Sequence, residues 1–382
     1  MNKKYVTFEP ILAGFNNVWI NLEMMLALAS VTNRTILLGD VLTYGAYTHF
    51  YNDLGKIYHE SIWEVLDKTE IQKNYDVEFI EEKHLHQNHP EYKQRIFPNV
   101  CSINIPHSWY RFPYDSDGLT PCVVNTKKVI DYDDYNNFLC NRRFVDISEV
   151  DNKEIISIDV FGQFFYNMYL GSKEQRINIK RKINNSLVYK QSYLDAAENI
   201  LKPNTYNAIH IRYSKLIGED FGDEYDFNPN GNPHLLLESI EKLFEKDVPL
   251  YIATDLTRHG AIHNGELRHN ITFDSYIEPI RNKYTVITLE DLNLDLSPNE
   301  TIAMDQLLSV NAKTFYGSYY STFSKRIDVL RGIAGKTTHD YMGWNKIQQS
   351  YVQVDSPYPW KHLSKPIWPW YYSSYPQYMQ EI

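Results

Sequence analysis

From Asn207 to Gly332 the chain alternates short apolar runs with runs of helical period, and this constrains the fold more than any other feature. Strands are predicted at 207–212, 248–254, 284–289 and 312–316, each almost continuously apolar. Strands of that kind are buried on both faces, which means a parallel sheet covered by helices. The helix predicted over 233–246 carries Leu236, Ile240, Leu243 and Phe244 on one face. The helix over 298–311 opens with Ser297, Pro298 and Glu300, a capping box with proline at the first helical position. Residues 315–332, FYGSYYSTFSKRIDVLRG, close the pattern. Gly317 is expected to break the last strand there. Ser321, Thr322 and Ser324 are expected to open a helix with Phe323, Ile327, Val329 and Leu330 apolar, and Gly332 to stop it.

The N-terminus repeats the theme. A strand in KYVTFEPI, the loop AGFNN, a helix over 17–33 with Leu22, Met25, Leu26 and Ala29 on one face, and a strand at 35–39 make one βαβ unit. The fold class is therefore α/β. Residues 41–150 read as irregular and partly helical, followed by a strand at 154–162 and a helix over 186–202. Three segments are expected: an N-terminal domain over 1–180 with an irregular insert, a C-terminal domain over 181–342, and a tail over 343–382. The tail holds five prolines and nine aromatics between Tyr351 and Tyr378, so it cannot be a regular helix and is expected to pack its rings back over the domains.

A net charge of −10 argues against nucleic acid and anionic membrane as partners, since both need a basic surface. No apolar run is long enough to span a membrane. The first residues, MNKKYVTFEP, lead into no apolar signal core, which predicts a cytoplasmic protein. Cys101, Cys122 and Cys140 are odd in number and give neither a disulfide framework nor a zinc site. The chain has 31 tyrosines, and aromatics of this kind also line sugar sites.

Candidate chemistry sits at strand ends. His210 and Arg212 close the strand AIHIR, and a period of two puts them on one face. The Arg presents a planar fork suited to phosphate oxygens. Asp255 follows the strand YIAT and can accept from a ribose or a base. The Ser321–Ser324 turn offers hydroxyls and helix N-terminal N–H groups to an anion. Each has a plain structural alternative: a helix cap for Ser321 and Asp255, a carboxylate partner for Arg212. Their coincidence at one edge of one sheet favours a nucleotide-diphosphate site. Gly14, Asn16 and Asn17 in the first loop can turn the chain, cap the helix or meet a ligand. Asp115/Asp117 lies in a loop and Asp131/Asp133 follows Val129-Ile130, but such three-residue patterns are common in a chain rich in Asp, and His84, His86 and His89 read as a solvated loop, so no metal is expected.

Taken together, AGFNN with its helix and NRTILL, AIHIRY, YIATD and FYGSYYSTFSKRIDVLRG resemble the GDP-fucose-dependent fucosyltransferase superfamily over residues 5–40 and 185–335. The resemblance implies a GT-B architecture, with two Rossmann-like domains facing across a cleft: acceptor-side over 1–180, GDP-sugar-binding over 181–342. It implies inverting, metal-independent transfer of fucose from GDP-fucose to a glycan or protein hydroxyl, with no cofactor. By position, Arg212 would contact the diphosphate and His210 would help hold the donor. Asp255 would lie near the nucleoside, and Ser321, Thr322 and Phe323 would contact the phosphates. Asn17, with Gly14, Phe15 and Asn16, would face the transferred sugar or the acceptor. Where some relatives carry a glutamate proposed as base, this chain has Ala13, so the base is unassigned. The competing readings are transfer from another nucleotide sugar and an inactive sugar-binding protein.

Overall fold

The computed structural model describes residues 3–8, 15–39, 41–44, 59–79, 100–103, 126–128, 143–145, 155–158, 166–168, 173–211, 225–226, 233–254, 262–263, 266–267, 273–318, 321–336, 338–345 and 350–355. The chain divides into two units. One comprises Met1–Tyr44, His59–Val188 and Pro369–Ile382; the other Gly45–Tyr58 and Tyr189–Trp368.

The first unit contains β1 (Tyr5–Phe8), α1 (Phe15–Thr32), β2 (Thr35–Leu38), α2 (Lys68–Asn74), β3 (Val77–Phe79), β4 (Val100–Ile103), β5 (Ile155–Ile158) and α3 (Lys173–Asn184). Its sheet runs β3–β2–β1–β5–β4, every pair parallel. In α1, Val18, Trp19, Ile20, Leu22, Met25, Leu26, Leu28 and Ala29 are all within the core. The helix forms the crossover between the parallel strands β1 and β2. It ends at Asn33, which takes φ 51°, the left-handed stop that asparagine tolerates. The strands β3 and β4 come from the stretch expected to be irregular. They are three and four residues long, too short to show a period.

The second unit contains α4 (Gln191–Ile200), β6 (Asn207–Ile211), α5 (Pro233–Leu243), β7 (Leu250–Thr254), α6 (Phe273–Arg281), β8 (Val286–Thr288), α7 (Pro298–Asn311), β9 (Phe315–Ser318), α8 (Thr322–Ile333), β10 (Thr338–Asn345) and β11 (Ser350–Asp355). The sheet order is β8–β7–β6–β9–β10, all parallel, with β11 and the short strand Tyr225–Asp226 antiparallel to β10. Alternation divides the strands between two layers. On one face Ile209, Ile211, Leu250, Ile252 and Tyr316 pack against Leu236, Ile240 and Phe244 of α5 and its end and against Ile277 and Ile280 of α6. The intervening residues Ala208, His210, Tyr251 and Phe315 face the other layer, where α7 and α8 lie.

Three element boundaries differ from expectation. The predicted 186–202 helix begins only at Gln191, because the carbonyl of Val188 is taken by the N–H of Asp67 at 3.0 Å and the chain there runs extended. Gly317 does not break β9; the strand runs through it to Ser318, paired with Asp340 of β10. Gly332 does not stop α8, which continues to Ile333, and the left-handed residue is Gly335 at φ 68°. Residue 343, the expected start of the tail, lies in β10, which pairs antiparallel with β11 with a register shift between Tyr341 and Trp344.

Candidate active site

The chain leaves β6 toward β7 and β8 on one side, then returns to β9 on the other side of β6. The order therefore reverses between β6 and β9. In an open parallel sheet that reversal opens a crevice at the carboxyl ends of the two strands, where ligands bind. His210 stands at the end of β6, and the β9-to-α8 connection leaves the end of β9.

Ser321 is the N-cap residue of α8, in extended backbone at φ −96° and ψ 122°. An N-cap serine normally accepts a hydrogen bond from an N–H of the first turn. Ser321 does not: its side chain makes no cap bond, and its hydroxyl is buried, 2% exposed, with no hydrogen-bond partner among the described residues. The first turn of α8 holds no acidic residue. So the positive end of a twelve-residue helix carries a buried hydroxyl that no described residue engages.

The turn is fixed from two sides. Nδ1 of His210 lies 2.7 Å from Oγ of the fully buried Ser324, and the His210 ring rests on the Phe323 ring at 4.4 Å between centroids, tilted by 37°. From α7, Nε2 of the buried Gln306 donates to the Phe323 carbonyl at 3.4 Å, while Oε1 of Gln306 accepts from the hydroxyl of Tyr189. Burial pushes the Tyr189 phenol far up, with the charge of Arg326 opposing, so it stays a donor. Gly317 is what lets α8 come this close. A Cβ there would stand 2.7 Å from Cε1 of Phe315 and 3.0 Å from Cβ of Ser324.

Further along α8, Arg331 is fully buried and donates to the carbonyls of Ser309, Val310, Ala312 and Lys313 at 2.7–3.2 Å. It caps the C-terminus of α7 with a cation at the negative end of that helix dipole. Burial pushes its pKa down to about 10, opposed by Asp328, so it remains charged at neutral pH. Lys336 adds bonds to the carbonyls of Val310 and Asn311. Asp305 of α7 accepts from the Tyr251 hydroxyl of β7, and loss of water raises its pKa to about 7, opposed by that bond.

Among the predicted site residues, the structure brings His210, Ser321, Thr322 and Phe323 together at this one turn, with Thr322 and Phe323 half-buried. Phe15 and Asn16 are buried at the start of α1 in the first unit, the Phe15 ring 5.8 Å from that of Trp19. Only the backbone of Asn17 is described, in the first turn of α1. Gly14, Arg212 and Asp255 lie outside the described residues, as do Asp115, Asp117, Asp131, Asp133 and the three histidines of 84–89. Each of the missing pair directly follows a described residue: Arg212 follows Ile211, whose carbonyl accepts from Thr254 Oγ1 at 2.8 Å, and Asp255 follows Thr254. Sequence reasoning missed Gln306, Ser324 as a partner of His210, and the Arg331 cap. The signal was present for the first, an amide that stands with Asp305 among the apolar residues of IAMDQLL. Among the described residues, no group of His, Cys, Asp or Glu has the arrangement of a metal site, and no helix is long and apolar enough to cross a membrane.

A family model described as GDP-fucose protein O-fucosyltransferase matches residues 5–334. The chain belongs to this family. It is a GDP-fucose-dependent glycosyltransferase by that membership, and the segments quoted from the sequence fall inside the match. No curated protein sequence matches the chain. Among solved structures, a NodZ α-1,6-fucosyltransferase soaked with GDP-fucose is 14% identical, with 93% of this chain and 100% of that chain covered and a TM-score of 0.46. NodZ from Bradyrhizobium is 12% identical, over 94% and 100% of the two chains, at 0.46. POFUT1 in complex with GDP is 12% identical, over 88% and 98%, at 0.48.

Proposed function

We propose that the protein transfers fucose from GDP-fucose to a hydroxyl of a glycan or protein acceptor, with inversion at the sugar carbon and without a metal ion, in a GT-B arrangement. The 181–342 segment would bind the GDP-sugar and the 1–180 segment the acceptor. The observation that carries this reading is the buried, unpartnered hydroxyl of Ser321 at the N-terminus of α8, beside the switch point of the sheet. Family membership names the ligand that such a pocket would take.

In this reading the acceptor hydroxyl attacks C1 of fucose. The C1–O bond to the β-phosphate breaks, its electron pair stays on the phosphate oxygen, and the hydroxyl proton leaves to a base that no residue here is assigned to supply. Negative charge then grows on the β-phosphate. Arg212, the N–H groups of the α8 first turn and the Ser321 hydroxyl would meet it. Fixed donors of this kind contribute on the order of 3–4 kcal/mol each, which makes a cation dispensable. Asp255 would accept from the nucleoside, and Asn17 with Gly14, Phe15 and Asn16 would approach the transferred sugar.

The test is release of GDP from GDP-fucose by the purified protein in excess EDTA, with and without Arg212→Ala. Turnover that disappears in Arg212→Ala supports the reading. Turnover equal to that of the wild type refutes the assignment of Arg212.

A further inference from the structure

The resemblance makes His210 a ligand of the donor. The geometry points to a different role: we propose that His210 is a positioning residue that acts through Nδ1 on Ser324 and so aims the first turn of α8 at the diphosphate. The proposal rests on the reading that this turn binds the diphosphate.

Three observations carry it. His210 is 4% exposed, and its Nδ1 is committed to Ser324 at 2.7 Å, so this nitrogen points into the protein. One ring face is committed as well, covered by Phe323 at 4.4 Å. Ser324 is itself fully buried against Gly317, with no room to turn aside: a Cβ at residue 317 would already be 3.0 Å from its Cβ. Ser324 and Ser321 are three residues apart on one helical turn, so they move as one body. A hydrogen bond from the end of β6 to Ser324 therefore sets where the Ser321 hydroxyl and the first N–H groups point relative to the residue that follows β6, Arg212. Gln306 steadies the same turn from the α7 side through the Phe323 carbonyl.

The two roles use different nitrogens. An asparagine amide stands where Nδ1 of histidine lies; a glutamine amide stands near Nε2. The experiment measures GDP affinity by calorimetry and thermal midpoint for His210→Asn, His210→Gln, Ser324→Ala and the double variant Ser324→Ala/His210→Gln. The positioning role predicts that His210→Asn stays within about threefold of the wild type, while His210→Gln and Ser324→Ala each weaken GDP binding about tenfold. It also predicts that the double variant is no weaker than either single one, because both break one link. Two results overturn it: glutamine rescuing where asparagine does not, or Ser324→Ala binding GDP as the wild type does. Arg212→Ala, run beside them, keeps the two claims apart. Unchanged GDP affinity in Arg212→Ala refutes the diphosphate reading, whereas weakened affinity there with Ser324→Ala unchanged refutes only the role given to His210.

Discussion

Ser321 carries a buried hydroxyl with no hydrogen-bond partner among the described residues. Such a group costs about 1–3 kcal/mol in the empty protein. Ser321→Ala is therefore expected to raise the thermal midpoint of the ligand-free protein while reducing the stabilisation that GDP adds. Thermal melts with and without GDP check both signs, and a variant that loses stability in the empty protein would show that the serine is an ordinary cap. Gly317 makes the opposite case. Gly317→Ala drives a methyl against Phe315 and Ser324, and overpacking of this kind costs about 1–3 kcal/mol. Chemical denaturation should show the loss, and GDP affinity should fall with it because Ser324 is displaced. The sequence names both residues but misreads one of them. Gly317 looks like a strand breaker until the fold shows that its bare backbone is where α8 approaches β9.

At the scale of elements, α7 and α8 act as one piece. Arg331 on α8 closes four carbonyls at the end of α7, and replacing it removes that donor from all four, while Lys336 still reaches that of Val310. Arg331→Met should cost about 3–5 kcal/mol, read from denaturant unfolding, with the m-value unchanged. On the β7 side, α7 presents Asp305 to Tyr251. Its pKa is raised from 3.8 to about 7, so the folded protein holds a proton that the unfolded chain releases. The stability this lends is full below about pH 4 and is lost as pH rises through about 7. Asp305→Asn should flatten that part of the stability profile, and the variant's thermal midpoint relative to the wild type should climb between about pH 4 and 7 and level off above. The capping box that opens α7 was legible because its residues are local: Ser297 and Glu300 bond within one turn, as their spacing requires. The Arg331 cap and the Gln306–Phe323 link were not, because they join residues on different helices and no local spacing encodes them.

For the whole molecule, the alternation of strands and helices announced an α/β fold with parallel sheets, and parallel sheets are present. The order of strands was out of reach from pattern alone. A parallel strand reads the same wherever it is inserted, so the return of the chain from β8 to β9, which creates the switch point, appears only in the fold. Much of 41–150 stayed opaque because strands of three or four residues such as VEF and VCSI carry no period. The family motifs compensate in part, since they name a ligand where packing names only a pocket.

The central claim is that the N-terminus of α8 and the end of β6 form one GDP-binding pocket. Calorimetric titration of GDP in excess EDTA into the wild type and Arg212→Ala tests it most directly. The account predicts saturable binding to the wild type with a single site per chain, weakened at least about tenfold in Arg212→Ala, the loss of one bidentate phosphate contact. Equal affinity in the two proteins, or no binding to the wild type until a divalent cation is added, would contradict it.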